Sequence, residues 1–309
     1  MVTMRSMRRV LVTGATSFVG LHVLERAGAR GLEAVAARGD LRDPAVAGGL
    51  IAEVRPSAVL HLASARSRTS DVWQVAADDL RMAGNVLAAV VEHAPEAPVL
   101  FPGSAAQYGQ GADRLLPETA PLVPVGAYGA VKCVLEAACT APVLRAGVRV
   151  IWTRSFNHIG PGQGLDAPVP SWARQIAEAE AAGSGVLRTG RLDVVRDFLD
   201  VRDVADAYLA LVESAAEGAV NVCSGTGVRL RNVAETLRSL SGAAVAVEQD
   251  PALEREVDPP YVVGDPGRLR ELTGWQPQFT LEQSLRDVLD EWRRRVAQPA
   301  PLRPAPQGV

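Results

Sequence analysis

Tyr128 and Lys132 stand four residues apart in the segment AYGAVKC. On a helix that spacing is about one turn, so both side chains project from one face. A tyrosine with an ordinary pKa near ~10 is a poor proton donor or acceptor at neutral pH, and a neighbouring ammonium favours its phenolate. Lysine suits that position because a flexible stem carries a point charge that also reaches a ribose hydroxyl, a task a forked guanidinium does less well. Composition sharpens the pair, because Lys132 is the one lysine among 32 lysines and arginines. Ser104, in FPGSAAQYG, adds a hydroxyl able to hydrogen-bond a substrate carbonyl. The competing reading is a surface helix that happens to carry a Tyr and a Lys, with an ordinary turn serine elsewhere. Ser104 follows the strand that precedes the Tyr–Lys helix, and that order favours a shared site.

A second constellation lies near the N-terminus. The apolar run Arg9 to Thr13 leads into Gly14-Ala15-Thr16-Ser17-Phe18-Val19-Gly20. A pyrophosphate needs close backbone approach and an open helix N-terminus. Gly14 supplies the tight turn and Gly20 permits close helix–strand packing, while Ser17 replaces the middle glycine of the usual pattern. By itself the turn is a weak signal, and an ordinary strand–helix turn is the alternative. Asp40, followed by Leu41 in GDLRD, offers a carboxylate to an adenine amino group, and Asp43 offers a helix cap. No acidic residue follows the second strand to hold a ribose 2′-hydroxyl, whereas Arg38 is available to a 2′-phosphate. That favours NADP over NAD, a solvated arginine being the bland alternative.

These groups need a scaffold. Short apolar runs at Arg9–Thr13, Glu33–Ala37, Ala58–Ala63, Val99–Gly103 and Arg149–Arg154 read as strands. Helical patterns fall between them at Val19–Ala29, Asp43–Val54, Trp73–His93 and Tyr128–Ala141. The alternation predicts an α/β chain with a Rossmann-type, doubly wound parallel sheet over residues 1–155, to which 196–226 return. A smaller α/β substrate-binding subdomain is expected from 156–195 and 227–297, with helices at Ser171–Ala182, Leu230–Leu240 and Leu281–Val296 and a Gly/Pro loop at Gly160–Pro170. Residues 298–309 are proline-rich and read as a disordered tail.

With 309 residues, 48% of them hydrophobic and 22% charged, the chain has ample material for a core. A net charge of −3 excludes a global basic field for nucleic acid. No apolar run reaches the ~18 residues of a membrane span, and the basic N-terminus leads into a strand pattern, not a signal peptide. The three cysteines, Cys133, Cys139 and Cys223, lack C-x-x-C spacing, which argues for a reducing, cytoplasmic setting and against a structural metal.

Taken together, TGATSFVG, GDLRD, VLHLAS, GSAAQYG, PVGAYGAVK, RSFNHIGPGQ, VVRDFLDVRDVADAY, NVCSG and LTGWQPQFTLEQSLRDVLDEW resemble the extended short-chain dehydrogenase/reductase family, in its nucleotide-sugar-modifying branch. The resemblance spans nearly the whole chain. RSFNHIGPGQ, GRLDVVRDFLDVRD and NVCSG are most similar to the GDP-4-keto-6-deoxy-D-mannose reductases. It implies Ser104, Tyr128 and Lys132 as the catalytic set. It implies Gly14, Ser17, Phe18, Val19, Gly20, Arg38, Asp40, Leu41, Leu62, Ala63, Ser64, Tyr128, Lys132 and His158 around the cofactor. Asn157, Arg196 and Arg255 match positions that contact the sugar nucleotide's phosphates, although the ERE around Arg255 departs from the pattern, as does Asp79 where an Asn is common. His158 alone would read as a structural histidine. A homodimer through a helix bundle that includes the Tyr128 helix is also implied, with no metal.

The scaffold runs several reactions, so fold does not choose among them. By the same resemblance, 4,6-dehydratases place acidic residues just after the catalytic Ser/Thr, where this chain has Ala105 and Ala106. Epimerase–reductases of the GDP-fucose synthase type use a cysteine at the position of Ala106 and a histidine at that of Gly162. A bare Ser–Tyr–Lys set fits NADPH-dependent reduction of a nucleotide-linked 4-keto-6-deoxy sugar. The alternative is a 4-epimerase of the UDP-galactose type with tightly held NAD. A non-catalytic dinucleotide-binding regulator fits less well, because both Tyr128 and Lys132 remain.

Overall fold

The computed structural model describes residues 8–65, 71–109, 114–141, 145–254 and 257–298. In chain order its elements begin with β1 (Arg8–Thr13), α1 (Phe18–Ala27), β2 (Leu32–Ala36), α2 (Pro44–Val54), β3 (Ala58–His61), α3 (Val72–His93), β4 (Val99–Pro102), α4 (Ala127–Thr140) and β5 (Val150–Ser155). They continue with β6 (Asn157–Ile159), α5 (Pro168–Ala182), β7 (Ser184–Thr189), β8 (Val195–Asp200), α6 (Val201–Glu213), β9 (Gly218–Val222) and β10 (Gly227–Arg229). The last are α7 (Leu230–Ser239), β11 (Ala244–Gln249), β12 (Tyr261–Val262), α8 (Gly267–Thr273) and α9 (Leu281–Ala297). The chain divides into two compact units, one within 1–158, 194–228 and 257–280, the other within 159–193, 229–256 and 281–309.

The first unit is built on a six-stranded sheet in the order β2-β1-β3-β4-β5-β9, every pair parallel. Its strands are short continuous apolar runs because both faces are covered. Val10 and Val12 enter one core with Val23, Leu60 and Leu100. Leu11, between them, enters the other with Ile51, Val59 and Val99. This is the period-two alternation of a strand with no solvent face. The chain runs from β1 out to edge strand β2, then returns to β3 on the other side of β1. That reversal is a topological switch point, and a crevice opens there outside the carboxyl ends of the strands. It sets the segments after β1 and β3 side by side.

A second sheet in this unit has the order β10-β8-β12, with β6 also paired to β8. Here the structure differs from the expected division. Residues 257–280 belong with the sheet-bearing unit and not with a substrate subdomain. The reason is pairing, since Tyr261 and Val262 extend parallel to Val195 and Arg196. β8 accordingly begins at Val195.

The second unit pairs β7 with β11 in parallel, Ser184 opposite Ala244, and packs α9 and α7 along α5. Arg293 of α9 reaches Glu180 at 2.6 Å and the Leu240 carbonyl at 2.9 Å. Part of the expected Gly160–Pro170 loop is helix, because Pro168 occupies the first turn of α5, where its missing N–H costs nothing. Neither β7 nor β11 was legible as a strand. The prolines from 299 onward lie outside the described residues.

Candidate active site

At the end of β1 the chain turns at Gly14, with φ +63°. A Cβ there would stand 2.6 Å from the Ala63 nitrogen and 2.7 Å from the Leu62 carbonyl carbon. Glycine is needed twice over, for its left-handed backbone and for the loop that touches it. At Gly20 a Cβ would lie 2.4 Å from the Gly14 oxygen, so the helix presses on the turn. Ser17 is not a damaged glycine. Its backbone is ordinary, φ −73° and ψ 166°, and it caps α1 by accepting from the Gly20 N–H at 3.2 Å. The first turn of α1 carries no acidic side chain, so nothing opposes the positive helix end. The cradle suits a dinucleotide's pyrophosphate, which approaches backbone that side chains would otherwise cover.

The loop after β3 forms the neighbouring wall. Leu62 N donates to the Thr13 carbonyl and Ala63 N to the Thr13 hydroxyl, each at 3.2 Å. Asp79 holds its far end, accepting from Ser64 Oγ at 2.9 Å and from Ala65 N at 2.7 Å. The aspartate that reads as a departure in sequence is thus the clamp of this loop. His61 Nδ1 lies 3.0 Å from the Thr13 hydroxyl. Burial, and then the Lys132 charge, push its pKa down to about 3, so the ring is neutral. Phe18, at the head of α1, stacks on His158 with centroids 5.7 Å apart, which brings two of the expected cofactor residues together. Burial also lowers the His158 pKa.

Ser104 follows β4 and caps a short 3-10 turn, Ala105–Gln107. Its Oγ accepts from Ala106 N at 3.2 Å. Helix α4 lies directly against this turn, and a Cβ on Gly129 would sit 2.3 Å from the Ala106 oxygen. The glycine that follows Tyr128 therefore sets the distance between the serine's turn and the tyrosine's helix. Lys132 is 9% exposed; its Nζ donates to the Pro102 carbonyl at 2.9 Å and lies 6.0 Å from the Tyr128 ring centre. Tyr128 is 39% exposed, its ring at the surface where a substrate can reach it. A small recess behind the lysine is lined by His61, Ser64, Asp79 and Lys132 among others.

Beneath this corner runs a buried polar network that sequence reading missed. Gln107 Oε1 accepts from Ser104 N at 3.0 Å and from Trp152 Nε1 at 3.1 Å. Gln107 Nε2 donates to Glu136 of α4 at 2.5 Å. Glu136 in turn pairs with Arg154 of β5 at 2.5 and 3.0 Å. Arg154 also donates to the Tyr108 hydroxyl at 3.0 Å, and Tyr108 donates to Asn221 at 2.6 Å.

Other expected residues have partners of their own. Asp40 is gripped by Arg42 at 2.6 Å and Arg42 reaches Asp78 at 3.2 Å, so the Asp40 carboxylate is committed within its own loop. Leu41 is buried in the core beside α2, and Asp43 caps α2 as expected, accepting from Ala45 N at 2.9 Å. Arg38 is exposed just beyond β2. Asn157 donates to the Asp197 carbonyl at 3.0 Å, which sets it beside Arg196 on β8. Arg196 pairs with Asp258 and donates to the Val195 and Pro259 carbonyls at 2.8 and 2.7 Å. Arg255 lies outside the described residues. Among the described residues no group of three or more His, Cys, Asp or Glu could hold a metal, and no helix is long and apolar enough to cross a membrane.

The model of the NAD dependent epimerase/dehydratase family matches residues 10–223. GDP-6-deoxy-D-mannose reductase of Pseudomonas aeruginosa is 36% identical over 301 residues, 94% of this chain and 98% of that protein. UDP-glucose 4-epimerase of Azospirillum brasilense is 29% identical, covering 97% of this chain and 96% of its own. Among solved structures, RMD from Pseudomonas aeruginosa complexed with NADPH superposes with a TM-score of 0.84 at 33% identity, over 94% of this chain and 98% of that one.

Proposed function

The chain belongs to the NAD dependent epimerase/dehydratase family, and from that premise we propose that it reduces the keto group of a nucleotide-linked 4-keto-6-deoxy sugar, GDP-linked in the first instance. It is an NAD(P)-dependent enzyme by family, and a reduced nicotinamide, when bound, would supply the hydride. The glycine turn, Phe18, Val19, the loop Leu62–Ser64 and His158 would hold that cofactor, with Arg38 favouring a 2′-phosphate and hence NADPH. The NADPH in the RMD structure supports the same preference.

In this reading Tyr128 gives its proton to the oxygen that becomes the alcohol. The Ser104 hydroxyl accepts from Ala106 N, which leaves its own proton to donate to the same oxygen while it is still a carbonyl. Lys132 places a buried positive charge behind Tyr128 and offers Nζ to a ribose hydroxyl. Asn157 and Arg196 would meet the diphosphate, with Arg255 as a further candidate. A second copy of the chain is proposed to pack on α3 and α4, whose Trp73 and Val134 are 80% and 54% exposed.

One observation carries the choice of reaction. The turn that presents Ser104 continues with Ala105 and Ala106. Neither alanine carries an acid or base that could remove water or invert a neighbouring carbon, which supports hydride transfer with one proton donor. The test supplies NADPH with a GDP-linked 4-keto-6-deoxy sugar and follows cofactor oxidation. Stoichiometric oxidation with a 6-deoxy sugar product is expected. No net oxidation, together with interconversion of UDP-glucose and UDP-galactose, would replace reductase by 4-epimerase.

A further inference from the structure

Three side chains of α4 stand in register at intervals of four: Tyr128, Lys132 and Glu136. The first two face the reaction. The third points down the same side of the helix into the interior, where it is buried and meets Gln107 and Arg154. Gln107 is fully buried, and its amide has one end of each kind. The Ser104 and Trp152 N–H groups converge on one end and the Glu136 carboxylate stands at the other. Only one orientation satisfies both, with Oε1 toward the two N–H groups and Nε2 toward the carboxylate.

The neighbouring residues are shaped to admit this bridge. A Cβ on Gly103 would lie 2.6 Å from Gln107 Oε1 and 2.2 Å from Trp152 Nε1. Two further bonds join the same helix to this turn and to the end of β4 before it. Lys132 holds the Pro102 carbonyl at 2.9 Å, and the Cys133 thiol faces the Gln107 carbonyl at 3.9 Å. Arg154 grips both oxygens of Glu136, sharing Oε2 with Gln107, so the carboxylate cannot swing away without leaving a buried cation.

We propose that Gln107 and Glu136 are positioning residues: the chain from Glu136 through the Gln107 amide to the Ser104 N–H sets the height of the Ser104 hydroxyl against Tyr128. This rests on the reading of Ser104, Tyr128 and Lys132 as the reacting groups. The amide acts as a strut between helix and turn. It touches no substrate, and its effect on rate passes entirely through Ser104. Glutamine is the side chain for the task, because a glutamate would face Glu136 with like charge and an asparagine is one methylene short.

The test replaces Gln107→Leu, which keeps bulk and removes both polar ends. Gln107→Met, with the unbranched stem, serves where the leucine variant does not fold. The expected results are exchange of the Ser104 backbone amide at least ~10-fold faster by NMR, with the Leu100 amide of β4 unchanged. The kcat falls ~10–100-fold while KM for cofactor and sugar nucleotide stays within about twofold. In a Ser104→Ala background the same substitution causes no further fall, since coupled residues are non-additive. Unchanged Ser104 exchange, or an equal loss of kcat with and without the serine hydroxyl, overturns the proposal. A wild-type chain inactive in both 4-keto reduction and 4-epimerisation overturns the functional reading instead, and amide exchange then decides on the strut alone.

Discussion

At the carboxyl end of β1 the chain brings backbone against backbone by leaving side chains out, at Gly14 and Gly20. Two strands away, after β4, it fixes an equally close contact mostly by adding polar side chains, with Gln107, Glu136 and Arg154 tying Ser104 to α4. The first contact suits the phosphate ligand proposed for it, whose partners would be N–H groups at a helix end. The second, in the proposed reading, holds one hydroxyl at one height, and a network of buried, paired groups is stiffer than a turn. The difference teaches that binding a cofactor and aiming a proton place separate demands on the same sheet edge.

Four substitutions or titrations would break or sharpen that contrast. The largest effect is expected from Tyr128→Phe, which removes one oxygen from the corner and nothing from the turn. Turnover should fall about 10³-fold while dinucleotide affinity, read by fluorescence titration, stays the same; retained turnover would end the assignment. Gly14→Ala does the converse. Its Cβ would press on the backbone 2.6 Å away at φ +63°, and about 2–3 kcal/mol of stability should be lost in urea unfolding, with cofactor affinity falling alongside.

His61 touches both regions, through Thr13 on one side and the Lys132 charge on the other. Its folded pKa, about 3, lies below the ordinary 6.5. The unfolded chain therefore takes up the proton first, and stability present above pH 6.5 drains away as pH falls toward 3. About 2 kcal/mol should be gone by pH 5, and His61→Asn should flatten that slope in thermal unfolding; an unchanged slope would move the acid sensitivity elsewhere. The smallest effect belongs to the cap of α1. Ser17→Ala should cost about 1 kcal/mol and Ser17→Gly only a few tenths, because both lose the acceptor but glycine takes the extended cap backbone freely and leaves the end N–H groups open to water.

The turn and the Tyr–Lys pair were legible because each is local, with its partners within a helical turn and its chemistry carried by residue type. So was the alternation that predicted the sheet. The strut was not. Gln107 and Glu136 are 29 residues apart, and Glu136 and Arg154 are 18 apart. None carries a sign of its partners in its own neighbourhood, and only folding brings the three together. Asp79 reads as a departure from a pattern until the loop it clamps is seen. Arg196 matches a phosphate-contacting position, and nothing near it announces its partner Asp258, 62 residues on. The proline-rich start of α5 looks like loop, because the residue that breaks helix interiors is at home in a first turn. The strands β7 and β11 pair across sixty residues, a distance at which alternation in one strand says nothing of the other.

Lys132 is the chain's one lysine, and it is nearly buried, with its amine held on the Pro102 carbonyl. Every other positive side chain is a guanidinium or an imidazole. Amine-directed chemistry therefore has a single side-chain target in this protein, and that target stands behind Tyr128, the proposed proton donor. Acylating dyes, aldehyde fixatives and lysine cross-linkers will find the arginine-rich surface inert. Whatever side-chain amine they do modify reports on one site, so protection by a bound dinucleotide becomes a direct gauge of occupancy.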